Sequence, residues 1–260
     1  SEATSIAVRL PLNESGIMHC DLKPNNILLS TTKLLKTLFN DIKKKKIKQE
    51  DLINYLDIKI IDFNLSQKSN SIYKSTTIQT IYYMAPEIIL DNHEFNNTVD
   101  IWSIGVIIFE LVTGRYLFDI YDNNKKYDLN FENYEIVSKK IKRSDESSEE
   151  ESSEESSDDY NDINNLALLH YYRDILGDNL YIKGKKADKY YLNQKLYGTI
   201  FLNTKSRLED LYYYYLDLKC IKKDNIFYKE ILILLENIFQ YNINKRLSLE
   251  DYLTKYKIYI

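Results

Sequence analysis

The stretch His19-Cys20-Asp21-Leu22-Lys23-Pro24-Asn25-Asn26 concentrates the chemistry of this chain. The five-residue step from Asp21 to Asn26 sets a carboxylate beside a hydroxyl nucleophile and an amide oxygen beside a metal ion. Downstream, the short apolar run Ile58-Lys59-Ile60-Ile61 leads into Asp62-Phe63-Asn64. An aspartate that ends a strand can hold a Mg²⁺ bridging nucleotide phosphates. These groups suit attack of a hydroxyl on a phosphate.

Three more clusters follow in order: Tyr83-Met84-Ala85-Pro86-Glu87, Asp100-Ile101-Trp102-Ser103-Ile104-Gly105 and Asn244-Lys245-Arg246-Leu247-Ser248. With them the chain resembles the carboxy-terminal, large lobe of a eukaryotic-type serine/threonine protein kinase, from residue 16 to about residue 256. The resemblance implies roles residue by residue. Asp21 would accept or orient the substrate hydroxyl's proton, and Lys23 would neutralise the γ-phosphate of ATP. Asn26 and Asp62 would hold Mg²⁺. Thr80 matches the threonine that bonds the catalytic aspartate and lysine, and His19 supports the loop. Glu87 and Arg246 match a buried ion pair, and Asp100 would brace the loop's backbone from the following helix. The fold implied is mostly α: a helical bundle with a few short β-strands at the active-site face, the small β-rich lobe being absent.

Two positions depart from the family pattern. Cys20 stands where an arginine is usual, so it cannot pair with a phosphate on the activation segment; that segment should be permanently ordered or inert. Asn64 replaces a glycine, a swap that the tolerance of Asn for positive φ would permit. Before Asp21 the chain has one glycine, Gly16, and no lysine, so a glycine-rich phosphate loop and its paired lysine are expected from a small lobe supplied in cis or in trans.

The elements that must position these groups can be read from periodicity. Ile27-Leu28-Leu29 continues as a strand after the loop. Residues 1–15 read as an irregular segment interrupted by Pro11, and 16–260 as the kinase lobe with an insertion at 30–57. Within that insertion Leu34, Leu35, Leu38, Phe39 and Ile42 recur at helical spacing ahead of Lys43–Lys46, which predicts an amphipathic helix packed on the surface, then a basic turn. Val99 to Thr113 predicts a buried helix stopped by Gly114, and further helices are expected at 164–176, 228–239 and 249–257. Tyr212 to Tyr215 read as packing residues.

Composition sets bounds. Of 260 residues 44% are hydrophobic, enough for a packed core. Two cysteines without pattern, Cys20 and Cys220, argue for a reducing compartment. With no signal peptide and no apolar run long enough for a span, an intracellular location, cytoplasmic or nuclear, is expected, with no membrane partner. Residues 144–159 carry nine carboxylates and no basic residue, so the net charge of −4 becomes +5 without them. The surrounding insertion, 143–161, is expected to be disordered. Ser147, Ser148 and Ser152 each have Glu three residues on, the pattern that acid-directed kinases prefer. Four consecutive lysines without interleaved aromatics do not make a nucleic-acid site.

Thr113-Gly114-Arg115-Tyr116-Leu117-Phe118 and Ile78-Gln79-Thr80 are similar to the SR-protein kinase group of the CMGC branch, which implies Ser substrates in Arg-rich segments, with Asp174 as a docking carboxylate. Ala85-Pro86-Glu87 is the generic form instead. The leading expectation is a protein serine/threonine kinase. The alternative is a catalytically inactive pseudokinase or truncated lobe that binds basic peptides.

Overall fold

The computed structural model describes residues 16–31, 33–48, 51, 54–71, 75, 77–120, 157–177, 182–192, 194–196, 205–248 and 251. Strand β1 (Ile17–Met18) pairs antiparallel with β4 (Gln67–Lys68). Between them runs a longer hairpin of β2 (Ile27–Thr31) and β3 (Leu56–Ile60), in register from Ile27 opposite Ile60 to Thr31 opposite Leu56. Helix α1 (Leu35–Lys43) lies between the two strands of this hairpin in sequence. Beyond β4 come α2 (Pro86–Ile89), α3 (Thr98–Thr113), α4 (Ser157–Leu176) and α5 (Ala187–Tyr190). A short hairpin, β5 (Tyr191–Leu192) with β6 (Lys195–Leu196), precedes α6 (Leu208–Leu218) and α7 (Ile226–Ile238).

This order corrects the expectation of a mostly α large lobe from which a β-rich part is absent. The described chain begins with four strands and a helix, β1–β4 with α1, and only then becomes helical. The strands expected at Ile27-Leu28-Leu29 and ahead of Asp62 are β2 and β3, while β1 and β4, of two residues each, carry no alternation to read. Around the loop, positive φ falls at Asp62 (65°) and Cys20 (66°), and Asn64 is not among the residues that adopt it.

Helix α3 is the axis of the core. Its sequence is predominantly apolar, and most of its surface is buried; Val99, Trp102, Val106 and Phe109 have no exposed surface, while Leu111 near its end is exposed. Gly114, at φ 71°, ends it in the left-handed cap that glycine adopts without penalty. A methyl group on Gly105 would stand 2.6 Å from Ile238 Cγ2 and 3.1 Å from the Phe239 ring, so glycine is what lets α7 cross so closely. Trp102 meets Phe118 in a stack and Tyr172 and Phe239 edge-on, at centroid distances of 5.9, 5.2 and 5.1 Å. Helix α4 starts at Ser157, inside the tract expected to be disordered. The remainder of the acidic tract, residues 1–15 and the helix expected at 249–257 lie outside the described residues, save Asp251.

Under Trp102 lies an ion pair with no solvent contact. Arg246 donates to both oxygens of Glu87, Nη1 to Oε1 at 2.5 Å and Nη2 to Oε2 at 2.9 Å. It also reaches the carbonyls of Thr98 and Gln240, and its guanidinium sits 4.9 Å from the Trp102 ring. Arg246→Met should therefore cost about 3–5 kcal/mol by stranding Glu87, while Glu87→Gln combined with Arg246→Met should recover much of that loss. Urea unfolding of both variants checks it; a single variant as stable as the parent contradicts it.

Candidate active site

The loop from His19 to Asn26 is held from below by Asp100 on α3. Its Oδ2 accepts from the His19 N–H at 2.7 Å and its Oδ1 from the Cys20 N–H at 2.9 Å. Burial pushes the Asp100 carboxyl above its ordinary range, and the two N–H donors oppose that push. These bonds secure the left-handed turn at Cys20, a conformation costly for a side-chain-bearing residue. The Cys20 side chain is buried in the core, and its carbonyl accepts from the Gln79 N–H at 2.8 Å. His19 completes the support. Its Nδ1 accepts from the Asp21 N–H at 3.2 Å, so the hydrogen on the neutral ring sits on Nε2, which donates to the Ile61 carbonyl at 2.9 Å.

Three side chains close a ring above this base. Lys23 Nζ bonds Asp21 Oδ2 at 2.8 Å and Thr80 Oγ1 at 2.9 Å, and Thr80 Oγ1 donates to Asp21 Oδ1 at 2.8 Å. Asn26 turns its amide nitrogen to the Asp21 carbonyl at 2.9 Å and to Asp21 Oδ2 at 3.3 Å. Its acceptor oxygen is thereby the atom left to meet a cation.

Asp62 is placed from the neighbouring strand: the Ile61 N–H bonds the Asn26 carbonyl at 3.0 Å, and Phe63 packs on His19 at 4.8 Å. Its carboxylate is exposed and has no protein partner among the described residues. Among those residues no three His, Cys, Asp or Glu gather around one point. One amide oxygen and one free carboxylate still fit Mg²⁺, which takes few protein ligands and fills its shell with water and phosphate oxygens.

Sequence reasoning brought Asp21, Lys23, Asn26, Thr80, His19 and Asp100 to one place, with Asp62 adjoining through its backbone neighbours and Glu87 and Arg246 beneath. Asp174 stands apart. It lies 3.6 Å from Arg173 Nη2 on its own helix, already paired with a cation. The residue missed was Gln79. Its Nε2 donates to the Val99 carbonyl at 3.0 Å and to Ser103 Oγ at 2.9 Å, while its Oε1 accepts from the Ala85 N–H at 2.8 Å. The buried side-chain amide thus joins the segment after Thr80 to α3, while the backbone N–H of the same residue holds the loop through the Cys20 carbonyl. The signal was a glutamine directly before Thr80, where the neighbouring positions are apolar. A second missed contact is Tyr83, whose hydroxyl donates to Glu110 Oε2 at 2.7 Å. Burial first, and then Glu110, push that phenol well above its usual range, so it stays a donor.

The comparisons with known proteins agree with this geometry. The model of the protein kinase domain matches residues 10–256. A probable serine/threonine-protein kinase of Dictyostelium discoideum is 40% identical over 111 residues, 40% of this chain and 14% of that protein. Serine/threonine-protein kinase AFC3 of Arabidopsis thaliana is 39% identical over 116 residues, 43% of this chain and 28% of AFC3. The dual specificity protein kinase lkh1 of Schizosaccharomyces pombe is 34% identical over 44% of this chain and 16% of its own length. The matched stretch is thus less than a third of each of these relatives. Among solved structures, one from the yeast RNA Pol II CTD kinase CTDK-1 complex superposes with a TM-score of 0.53 at 16% identity, covering 94% of this chain and 56% of that one. The chain belongs to the protein kinase domain family, and its relatives are of the CMGC type. The superposition also completes the correction of the fold: strands, helix and helical part together follow the kinase domain, in place of a helical lobe alone.

Gln79→Ala removes three side-chain bonds at once and leaves the Ala85 N–H without a partner, which should cost about 3 kcal/mol in urea unfolding. Gln79→Glu should do no better, since a carboxylate cannot donate to the Val99 carbonyl. Parent-like stability in either variant refutes the bridging role.

Proposed function

We propose that this chain transfers the γ-phosphoryl group of ATP to serine or threonine hydroxyls of protein substrates. The observation that carries this reading is the closed ring of Asp21, Lys23 and Thr80 with Asn26 at its edge. Bound Mg-ATP would supply the phosphoryl group and the cation that offsets its charge. The chain's own residues do the rest. Both oxygens of Asp21 are held by donors, which fixes the carboxylate's orientation while leaving lone pairs for the hydroxyl proton. Lys23 presents a positive charge shared between Asp21 and Thr80, suited to the γ-phosphate. Asn26 and Asp62 would hold Mg²⁺ through their free oxygens, and His19 and Asp100 position the loop.

Within the family, the segments Ile78-Gln79-Thr80 and Thr113-Gly114-Arg115-Tyr116-Leu117-Phe118 support placement near the SR-protein kinase group. Substrates would then be Ser residues in Arg-rich stretches. Glu110 supports this better than Asp174 does: Tyr83 fixes one of its oxygens, and the other is left for a basic side chain beside the segment after Thr80.

The test is γ-phosphate labelling of an Arg-flanked Ser peptide by this protein. Asp21→Asn should lower the rate about 10²–10⁴-fold, and Asp62→Asn should raise the Mg²⁺ concentration needed for half-maximal rate. Labelling by Asp21→Asn at the parent rate would sink the reading. For substrate choice, Glu110→Gln should raise KM for the Arg-flanked peptide several-fold and leave KM for an Ala-flanked peptide unchanged; equal effects on both peptides count against a basic preference.

A further inference from the structure

Helix α1 departs from the expectation that its apolar face packs against the domain. Only Leu38 is buried. Leu34 is 78% exposed, Leu35 41% and Phe39 57%, and nothing among the described residues covers them. Leu35, Phe39 and Lys43 follow one another at four-residue steps, so they form a single row along the helix. Lys36 borders that row, and Lys44, Lys45 and Lys46 continue from its end, all four exposed. The one carboxylate of the helix, Asp41, is turned to Lys33 at 3.6 Å and does not offset these charges. An exposed apolar strip therefore runs directly into an unbalanced cluster of lysines.

Three kinds of occupant could cover this face, and its size and composition separate them. The chain's own acidic tract, residues 144–159, complements the lysines but holds only Ser, Asp and Glu, which would leave Leu34, Leu35 and Phe39 in water. A folded protein partner needs roughly 800 Å² from each side for a stable interface. The three side chains leave on the order of 350 Å² open, at roughly 200 Å² for a large side chain. The helix itself is only about 13 Å long, from its nine residues at 1.5 Å each. A bilayer surface needs no complementary shape: apolar tips enter the acyl boundary and the lysines meet phosphate headgroups. Such contact is interfacial and requires no span; no helix among the described residues is long and apolar enough to cross a membrane.

We propose that α1, with the lysines that follow it, is a docking element for the surface of an anionic phospholipid bilayer. The chain's net charge is −4, so the attraction is local to this cluster and screened by salt. The inference does not depend on the kinase reading, because none of its residues belongs to the catalytic loop.

The test is co-sedimentation of the full chain with vesicles of phosphatidylcholine and with vesicles rich in phosphatidylserine. Binding to the anionic vesicles at low salt, falling as salt rises, is expected, with at least tenfold weaker binding to the neutral ones. Lys43→Ser, Lys44→Ser and Lys46→Ser should each weaken binding about fivefold. Leu35→Glu with Phe39→Glu should abolish it, with the thermal unfolding midpoint and phosphate labelling unchanged. No binding to anionic vesicles overturns the proposal. So does binding that the lysine variants reduce and Leu35→Glu with Phe39→Glu leaves intact, since that is charge attraction without insertion. Capture of a Ser/Glu-rich peptide carrying the sequence of residues 144–159, with vesicles ignored, assigns the face to the acidic tract instead.

Discussion

The site depends on a carboxylate that takes no part in its chemistry. Asp100 is buried within α3, yet it spends both oxygens on the N–H groups of His19 and Cys20. A buried carboxylate with no hydrogen bonds would be untenable, and a left-handed Cys20 with free N–H groups would relax toward an ordinary conformation. Each defect is tolerated because the other is present. The outcome is a loop whose direction at Asp21 is dictated by the core helix, so the carboxylate, lysine and threonine ring forms over a rigid base.

The same helix receives the other ties. Gln79 reaches the Val99 carbonyl and Ser103, and Arg246 reaches the carbonyl of Thr98 while holding Glu87. Loop, substrate-side segment and the Pro86–Ile89 helix are therefore referenced to one element. Helix α3 can serve in this way because its Val99, Trp102, Val106 and Phe109 side is fully buried and because Gly105 admits α7 at close range. Errors in its placement would move every group of the site together, which preserves their mutual distances.

Much of this was legible from residues alone, and the reasons differ by position. Asp21, Lys23, Asn26 and Thr80 could be singled out because the resemblance rests on side chains of fixed type at fixed spacing, and the structure places them within hydrogen-bond reach of Asp21. Helix α3 was found to within one residue at its start, since fifteen nearly unbroken apolar positions ending at Gly114 admit little else. Strands β2 and β3 were read from Ile27-Leu28-Leu29 and from the apolar run ahead of Asp62, whereas β1 and β4, of two residues each, have no period to detect. Helix α1 was located correctly from its spacing, yet its burial was misjudged: periodicity reports that a face is apolar and says nothing of what covers it. Gln79 was passed over as a family marker, because the bonds of an amide depend on backbone groups that a sequence does not place next to it.

The replacement of arginine by Cys20 shows how these layers interact. An arginine there could gather a phosphate on the segment between Asp62 and Glu87 by charge; the cysteine side chain is sealed in the core and cannot. Apart from Thr80, Tyr83 and Glu87, which meet charged partners, the side-chain ties seen among the described residues of that segment are neutral. Gln67 grips Ser75 from both sides, Nε2 to the carbonyl and Oε1 to the N–H, each at 2.9 Å, and Gln79 binds the Cys20 carbonyl through its own N–H. Amide-to-backbone bonds are short-ranged and little affected by salt, whereas a phosphate–arginine latch is switched by modification and screened by ions. The ties of Gln67 and Gln79 thus need no phosphate to form.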